Sequence, residues 1–155
     1  MLAASVLWAQ AVPAFEQFRV SETFSGKPAP PVLRTAADRE FRTRIREGAP
    51  EGPNFAGHYT IVQWGCGAGC VSMALVDAKD GRIYPSPFKV LSWIMAEYES
   101  KLASNDDKFE PLMFQTNSRL LIARGCPEED HCASYFYEWT GTKFNLLRKI
   151  PAVAK

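Results

Sequence analysis

The feature that most constrains the fold of this chain is a series of short segments rich in β-branched and aromatic residues, separated by turn signals. Asp80-Gly81 is the strongest signal, because this dipeptide favours the tight turn that joins adjacent antiparallel strands. The segments with strand character are 57–64, 70–77, 82–84, 111–115, 119–124, 133–140 and 143–150. The connections between them are too short for the crossover helices of a parallel sheet. The pattern therefore predicts an antiparallel meander.

A single helix is predicted over residues 35–47, ahead of all the strands. Thr35 and Asp38 have the spacing of a capping box, in which each side chain accepts a hydrogen bond from the backbone of the other. Gly48 and then Pro50 supply the signal that ends the helix. Apolar residues recur at four-residue steps and so share one helical face: Leu33, Ala37, Phe41 and Ile45. The helix is expected to pack through this face.

Together these elements predict an α+β fold: a mostly antiparallel β meander, as a single curled sheet or partial barrel, with one N-terminal helix packed on it. A β-propeller is excluded, because 155 residues cannot supply about four blades of four strands. Residues 88–101 fit a helix or a strand, and both interpretations stay open. Both faces of 57–64 are apolar, which predicts a central strand. Residues Tyr135, Tyr137 and Trp139 share a face, and we expect a core position rather than an exposed platform.

The charge and motif content exclude several classes of function. The 18 Lys and Arg residues nearly balance the 17 Asp and Glu residues, so nothing favours binding to nucleic acid or to an anionic membrane. No stretch of 18 apolar residues occurs, so no membrane span is predicted. The motifs of phosphate-binding loops, dinucleotide-binding folds and zinc proteases are absent, and no cofactor is predicted.

The first 14 residues predict export. Residues 2–14 carry no charge and are too short to span a bilayer, but they match the apolar region of a secretory signal. Ala9-Gln10-Ala11 and Val12-Pro13-Ala14 are two candidate cleavage patterns. We interpret residues 1–14 as the remnant of a signal peptide and 15–155 as a single globular domain that is periplasmic or secreted. The alternative is a buried N-terminal helix or strand.

The four cysteines occur as two closely spaced pairs. In an oxidising compartment such pairs favour disulfides, and Cys66–Cys70 with Cys126–Cys132 is our first choice among three connectivities. Glycines between Cys66 and Cys70 free the backbone to bring the two together. A zinc site using these cysteines with His58 and His131 is the alternative, but the second pair is too widely spaced. No metal is predicted.

Residues 54–59, N-F-A-G-H-Y, run into residues 64–70, W-G-C-G-A-G-C. This string resembles a segment of a group of uncharacterised exported bacterial proteins, whose strand N-F-A-G-H-Y leads into W-G-C-G-x-G-C. The resemblance covers about 30 residues and extends to the hairpin at 76–84. It implies an exported protein and brings no assigned activity, so function has to be inferred from the residues themselves.

Two functions from different classes fit the sequence. The first is a small disulfide-stabilised binding module, an inhibitor or immunity-type factor, that presents two loops to a protein partner in the cell envelope. Its candidate binding residues are His58, Trp64, Gly65, Gly67, Gly69 and His131. The second is a small envelope enzyme with Cys66 as nucleophile and His58, or alternatively His131, as base, oriented by Asp130 or Asp77. An oxidised cysteine pair argues against the second, so we lean towards a protein that is not an enzyme.

Overall fold

The computed structural model describes residues 11–93 and 109–151 of the chain. The two helices are α1, Ala36–Glu40, and α2, Arg42–Gly48. The strands are β1 Tyr59–Gly65, β2 Cys70–Asp77, β3 Ile83–Tyr84, β4 Leu91–Ser92, β5 Leu112–Met113, β6 Leu120–Pro127, β7 Ala133–Trp139 and β8 Phe144–Pro151. Short 3-10 turns occur at Phe15–Phe18 and Ala49–Glu51.

All eight strands belong to one curled antiparallel sheet. The order along the sheet is β1-β2-β4-β6-β7-β8, while β3 pairs with β2 and β5 pairs with β6. Consecutive strands form the hairpins that the turn signals predict, including β2–β3 across Asp80-Gly81. The structure confirms an α+β fold with helical residues packed on a mostly antiparallel sheet.

The helical segment begins as the sequence predicts, but it is broken at Phe41. Thr35 accepts a hydrogen bond from the Asp38 amide at 3.0 Å, and the Asp38 carboxylate accepts one from Thr35 at 3.0 Å, which completes the capping box. At Phe41 the backbone leaves the helical region, with ψ at 18°. The Phe41 ring then packs on Trp64, 5.0 Å between centroids. Contact with β1 therefore favours two short helices over one continuous helix.

Two hydrophobic cores lie on opposite faces of the sheet. The smaller one joins the helices to β1 and β2 through buried residues: Ile45, Ala49, Val62, Trp64, Ala74 and Val76. The larger one lies on the other face and includes Leu75, Leu91, Leu121 and Trp139. Tyr135, Tyr137 and Trp139 are all buried there, so the predicted core position of this aromatic stripe is confirmed.

Strand β1 lies at the end of the sheet, so the prediction of a central strand is wrong. Its apolar faces are both covered, one by the helices and one by the larger core. Its outer edge is occupied by a side chain: Asn54 Oδ1 accepts from the Ile61 amide at 2.7 Å, and Asn54 Nδ2 donates to the Ile61 carbonyl at 3.0 Å. Both faces of β1 are therefore apolar because the helices cover one face and the larger core covers the other, and not because β1 has a neighbouring strand on each side.

Two of the predictions fall partly outside the described residues. Within the region interpreted as a signal peptide, only residues 11–14 are described. Of residues 88–101, positions 88–93 are described and contain the two-residue strand β4, and the remainder lies outside. In the described segments, no helix has both the length and the apolar character needed to cross a membrane.

Candidate functional site

The four cysteines form two local disulfides with the predicted connectivity. Cys66 is bonded to Cys70, with their Cα atoms 5.1 Å apart. Cys126 is bonded to Cys132, with their Cα atoms 4.0 Å apart. No cysteine of the chain is left as a free thiol. Each bridge closes one loop between two strands, so the shape of both loops is fixed by a covalent bond.

The two disulfides lie side by side at one end of the sheet. Cys70 is paired in register with Ser92 of β4, and Ser92 is paired in turn with Cys126. Residues opposite one another on adjacent antiparallel strands project to the same face, and two strand spacings separate Cys70 from Cys126 by about 10 Å. We call loops 65–70 and 126–132, together with the intervening β4, the disulfide surface.

The first loop of this surface is exposed and rigidly tied at its base. The Cys66 amide donates to the Cys70 carbonyl at 3.2 Å, and the Trp93 amide donates to the Gly69 carbonyl at 2.9 Å. Gly67 has φ at +133°, a conformation that strains any residue with a Cβ, although a Cβ at this position would meet no neighbour. Residues Gly65 to Ala68 are all exposed. The backbone at the tip is therefore open to a partner.

The second loop holds three non-glycine residues in the left-handed region: Glu128, Glu129 and His131, with φ of 53°, 64° and 49°. The hydroxyl of Tyr135 donates to the His131 carbonyl. The His131 ring lies 3.2 Å from the Asp130 carboxylate, and both side chains are about three-quarters exposed. Such conformations cost about 1–3 kcal/mol each and persist only where the surroundings impose them. Here the bridge and the Tyr135 bond impose them.

The structure does not bring Cys66 and His58 together. They flank the two ends of β1, and eight residue steps along an extended strand separate them by roughly 25 Å. The Cys66 sulfur is also held in a disulfide and supplies no thiolate. Trp64, a third candidate binding residue, is buried against Phe41 in the helix-side core. Of the six candidate binding residues, Gly65, Gly67, Gly69 and His131 lie on the disulfide surface.

His58 instead lines a cleft of about 670 Å³ at the far end of the β1–β2 hairpin. Residues 20–26 form one wall of this cleft, and the ends of β1 and β7 form its floor through Tyr59 and Trp139. The wall is held by a hydrogen bond of 2.8 Å from the Phe24 amide to the Gly57 carbonyl. Gly57 has φ at +89°, and a Cβ there would lie 2.5 Å from the Glu22 carbonyl oxygen. This cavity is called the His58 cleft.

Within the cleft, His58 is oriented by a buried carboxylate. His58 Nδ1 lies 2.7 Å from Asp77 Oδ1, and the Lys79 amide donates to the same oxygen at 2.9 Å. A carboxylate can only accept, so Nδ1 carries the proton in neutral His58 and Nε2 is left as an acceptor. The His58 ring is stacked at 4.2 Å on Tyr59. This arrangement can hold or accept a proton at Nε2.

The floor of the cleft is sparsely solvated. Burial raises the pKa of the Tyr59 hydroxyl, and Asp77 raises it further, against the opposing effect of the neighbouring Trp139 indole. The indole Nε1 of Trp139 is buried and makes no well-formed hydrogen bond to any described residue. Both groups lie where water has little access.

The sequence analysis named His58 as one of two candidate bases and Asp77 as one of two candidate orienting acids, but it missed the other residues of the cleft. Lys79, Arg119, Trp139 and the wall at 20–26 come from four separate regions of the chain. The glycine of N-F-A-G-H-Y is the one signal that points to them, because Gly57 is where the wall touches β1.

No family model, curated protein or solved structure matches this chain. Among residues 11–93 and 109–151, no group of three or more His, Cys, Asp or Glu side chains is arranged to hold a metal ion.

Proposed function

We propose that this chain is an exported binding module, periplasmic or secreted, that uses its disulfide surface to bind a protein partner in the cell envelope. In this proposal the module acts as an inhibitor or as an immunity-type factor. The observation that carries the proposal is the register Cys70–Ser92–Cys126, which sets two covalently closed, exposed loops beside each other. Two such loops form one continuous surface.

Export is supported by the chemistry of the cysteines. Disulfides persist in oxidising compartments and are rare in the cytosol. Both bridges in this chain are local, and each has at least one cysteine that is exposed or half-exposed. The uncharged residues 2–14 add the pattern of a secretory signal.

Rigid loops favour binding because they lose little conformational freedom when a partner docks. An interface pays about 0.5–1.5 kcal/mol for each mobile side chain that it immobilises, and a preformed loop avoids part of that cost. Both loops are anchored to the residues that flank β4: the first through Trp93 and the second through the Lys89 amide, which donates to Glu128 Oε1 at 2.6 Å. The surface is therefore formed before any partner arrives.

Capture of partners from an envelope fraction tests this proposal. The wild-type chain is compared with Ala68→Arg and Glu129→Arg, which place a bulky cation on each loop, and with Arg44→Glu as a matched charge change on α2. We expect one protein to be retained by the wild type and by Arg44→Glu and to be lost from both loop variants. Equal capture by all four proteins would refute the role of the disulfide surface.

The geometry of His58 favours a second candidate, an enzyme that works in the His58 cleft without Cys66. The carboxylate–imidazole pair is the arrangement that orients a general base. Turnover of p-nitrophenyl acetate by wild type, His58→Gln and Asp77→Asn tests it. The enzyme hypothesis requires that both variants lose most of the activity. Equal rates in all three would remove this candidate.

A further inference from the structure

The charged side chains that line the His58 cleft differ in whether they have a partner. Arg119 is paired with Glu138, and His58 is paired with Asp77. Lys79 and Glu22 also line the cleft, and neither makes an ion pair or side-chain hydrogen bond with any residue in the described segments. The cleft therefore offers the unpaired ammonium of Lys79 and the unpaired carboxylate of Glu22. A ligand that forms an ion pair with each of them carries one negative and one positive charge.

The wall of the cleft adds a second and independent preference. Residues 21–23 are exposed and irregular, with a bend at Ser21, and their backbone N–H and C=O groups form no hydrogen bond within the described part of the chain. The flanking residues are anchored, because Val20 donates to Asn117 and Phe24 donates to Gly57. Exposed backbone N–H and C=O groups without partners can hydrogen-bond to the amide groups of a ligand. The wall thus selects amide-containing ligands among those with two charges.

The size and floor of the cleft are compatible with such a ligand. A volume of about 670 Å³ lies within the range of small-molecule sites. At the floor, Nε2 of His58 is an acceptor that a peptide N–H can reach, while the apolar faces of Tyr59 and Ala56 exclude water. The ligand is therefore held by its backbone and its two ends.

The geometry points to the His58 cleft as a binding site for a short peptide with free termini, whose carboxylate pairs with Lys79 and whose ammonium pairs with Glu22. This site lies at the opposite end of β1 from the disulfide surface, so the inference does not depend on the protein-binding function proposed for that surface. Binding involves no covalent step.

Isothermal titration with four probes tests the inference: alanyl-alanine, its N-acetyl derivative, its C-terminal amide, and the doubly blocked compound. We expect alanyl-alanine to bind and each single block to weaken binding about tenfold, which is the usual effect of losing one charge-assisted hydrogen bond. Equal affinity for all four probes, or no binding at millimolar concentrations, would overturn the inference.

Variants test which side chain of the cleft binds each end of the peptide. In Lys79→Met the free acid and the C-terminal amide should bind equally, and in Glu22→Gln the free amine and the acetylated compound should bind equally. Lys89→Met, an exposed lysine next to the disulfide surface and outside the cleft, is the matched control and should keep the wild-type preference for free termini. If Lys79→Met and Glu22→Gln also keep that preference, the assignment is wrong. Circular dichroism confirms that each variant is folded.

Discussion

His58 and Asp77 join the start of β1 to the end of β2, with Nδ1 and Oδ1 2.7 Å apart. Tyr59 is paired in register with Asp77, and His58 directly precedes Tyr59. The side chains of His58 and Asp77 therefore meet across the open end of the β1–β2 hairpin. Asp77 is nearly buried and also accepts from the Lys79 amide. A single carboxylate thereby fixes both the imidazole and the turn that leads to β3.

Replacing this carboxylate should change the tautomer of His58. In Asp77→Asn, the amide can turn its N–H₂ towards Nδ1, so the Nδ1–H form is no longer enforced. We expect ¹⁵N chemical shifts of the neutral ring to show predominantly the Nδ1–H tautomer in the wild type and a mixture in the variant. His131, whose ring is exposed, serves as the internal reference. A variant spectrum identical to the wild type would contradict the assigned role of Asp77.

The parts of the fold that were predicted correctly depend on local sequence. The capping box at Thr35 and the Asp80-Gly81 hairpin involve neighbours in the chain, and both disulfides close loops of a few residues. The position of the second loop beside the first depends on β4, which has only two residues and leaves no periodic pattern. Proximity of the two disulfides therefore could not be read from the sequence.

The His58 cleft could not be predicted from the sequence for a different reason. Its wall at 20–26 has no strand or helix pattern and is held by contacts with residues far along the chain, such as Val20 with Asn117. Likewise, the edge position of β1 could not be seen, because a side chain, Asn54, occupies the place of a neighbouring strand. Long-range contacts of irregular segments carry no periodic signal.

Removing the second disulfide should destabilise the protein and loosen its loop. The double variant Cys126→Ala/Cys132→Ala loses a bridge that closes a short loop, which is worth about 2 kcal/mol of unfolding free energy in the chain-entropy model. Urea denaturation measures the loss. The left-handed conformations at Glu128 and Glu129 should also relax, seen as faster amide exchange there than in the wild type, while exchange at β1 is unchanged.

The matched control is Cys66→Ala/Cys70→Ala, which should cost a similar amount of free energy and leave exchange at 128–131 unchanged. Thiol titration of the denatured wild-type protein purified from an oxidising compartment should find no free cysteine. Two or more free thiols in the wild type would contradict the disulfide assignment.

Asn54→Ala should expose the edge of β1. The substitution removes two hydrogen bonds to the backbone of Ile61 and leaves its partly buried N–H and C=O without partners, at a cost of about 1–3 kcal/mol. Denaturant unfolding measures this loss. Asn54→Asp keeps the acceptor for the Ile61 amide but turns a carboxylate oxygen towards the Ile61 carbonyl, and two acceptors repel, so this variant should also lose stability. Equal stability of wild type and Asn54→Ala would show that water replaces the side chain without cost.

The unfolding free energy should fall at high pH because of Tyr137. Burial, with a smaller contribution from Tyr135 stacked on it, raises the pKa of Tyr137 to about 12. In the unfolded chain the phenol ionises near pH 10, so between about pH 10 and 12 the unfolded state binds fewer protons than the folded state. The stabilising contribution is therefore complete below pH 10 and is lost as the pH rises towards 12. Its full size is about 2–3 kcal/mol.

Tyr137→Phe isolates this effect, because phenylalanine keeps the ring and cannot ionise. The difference in unfolding free energy between wild type and Tyr137→Phe should be constant below pH 10 and should shift against the wild type above it. Denaturant titrations at several pH values measure this difference, and absorbance of the tyrosinate band locates the ionisation directly. A difference that does not change between pH 10 and 12 would mean that Tyr137 ionises in the folded protein as readily as in the unfolded chain.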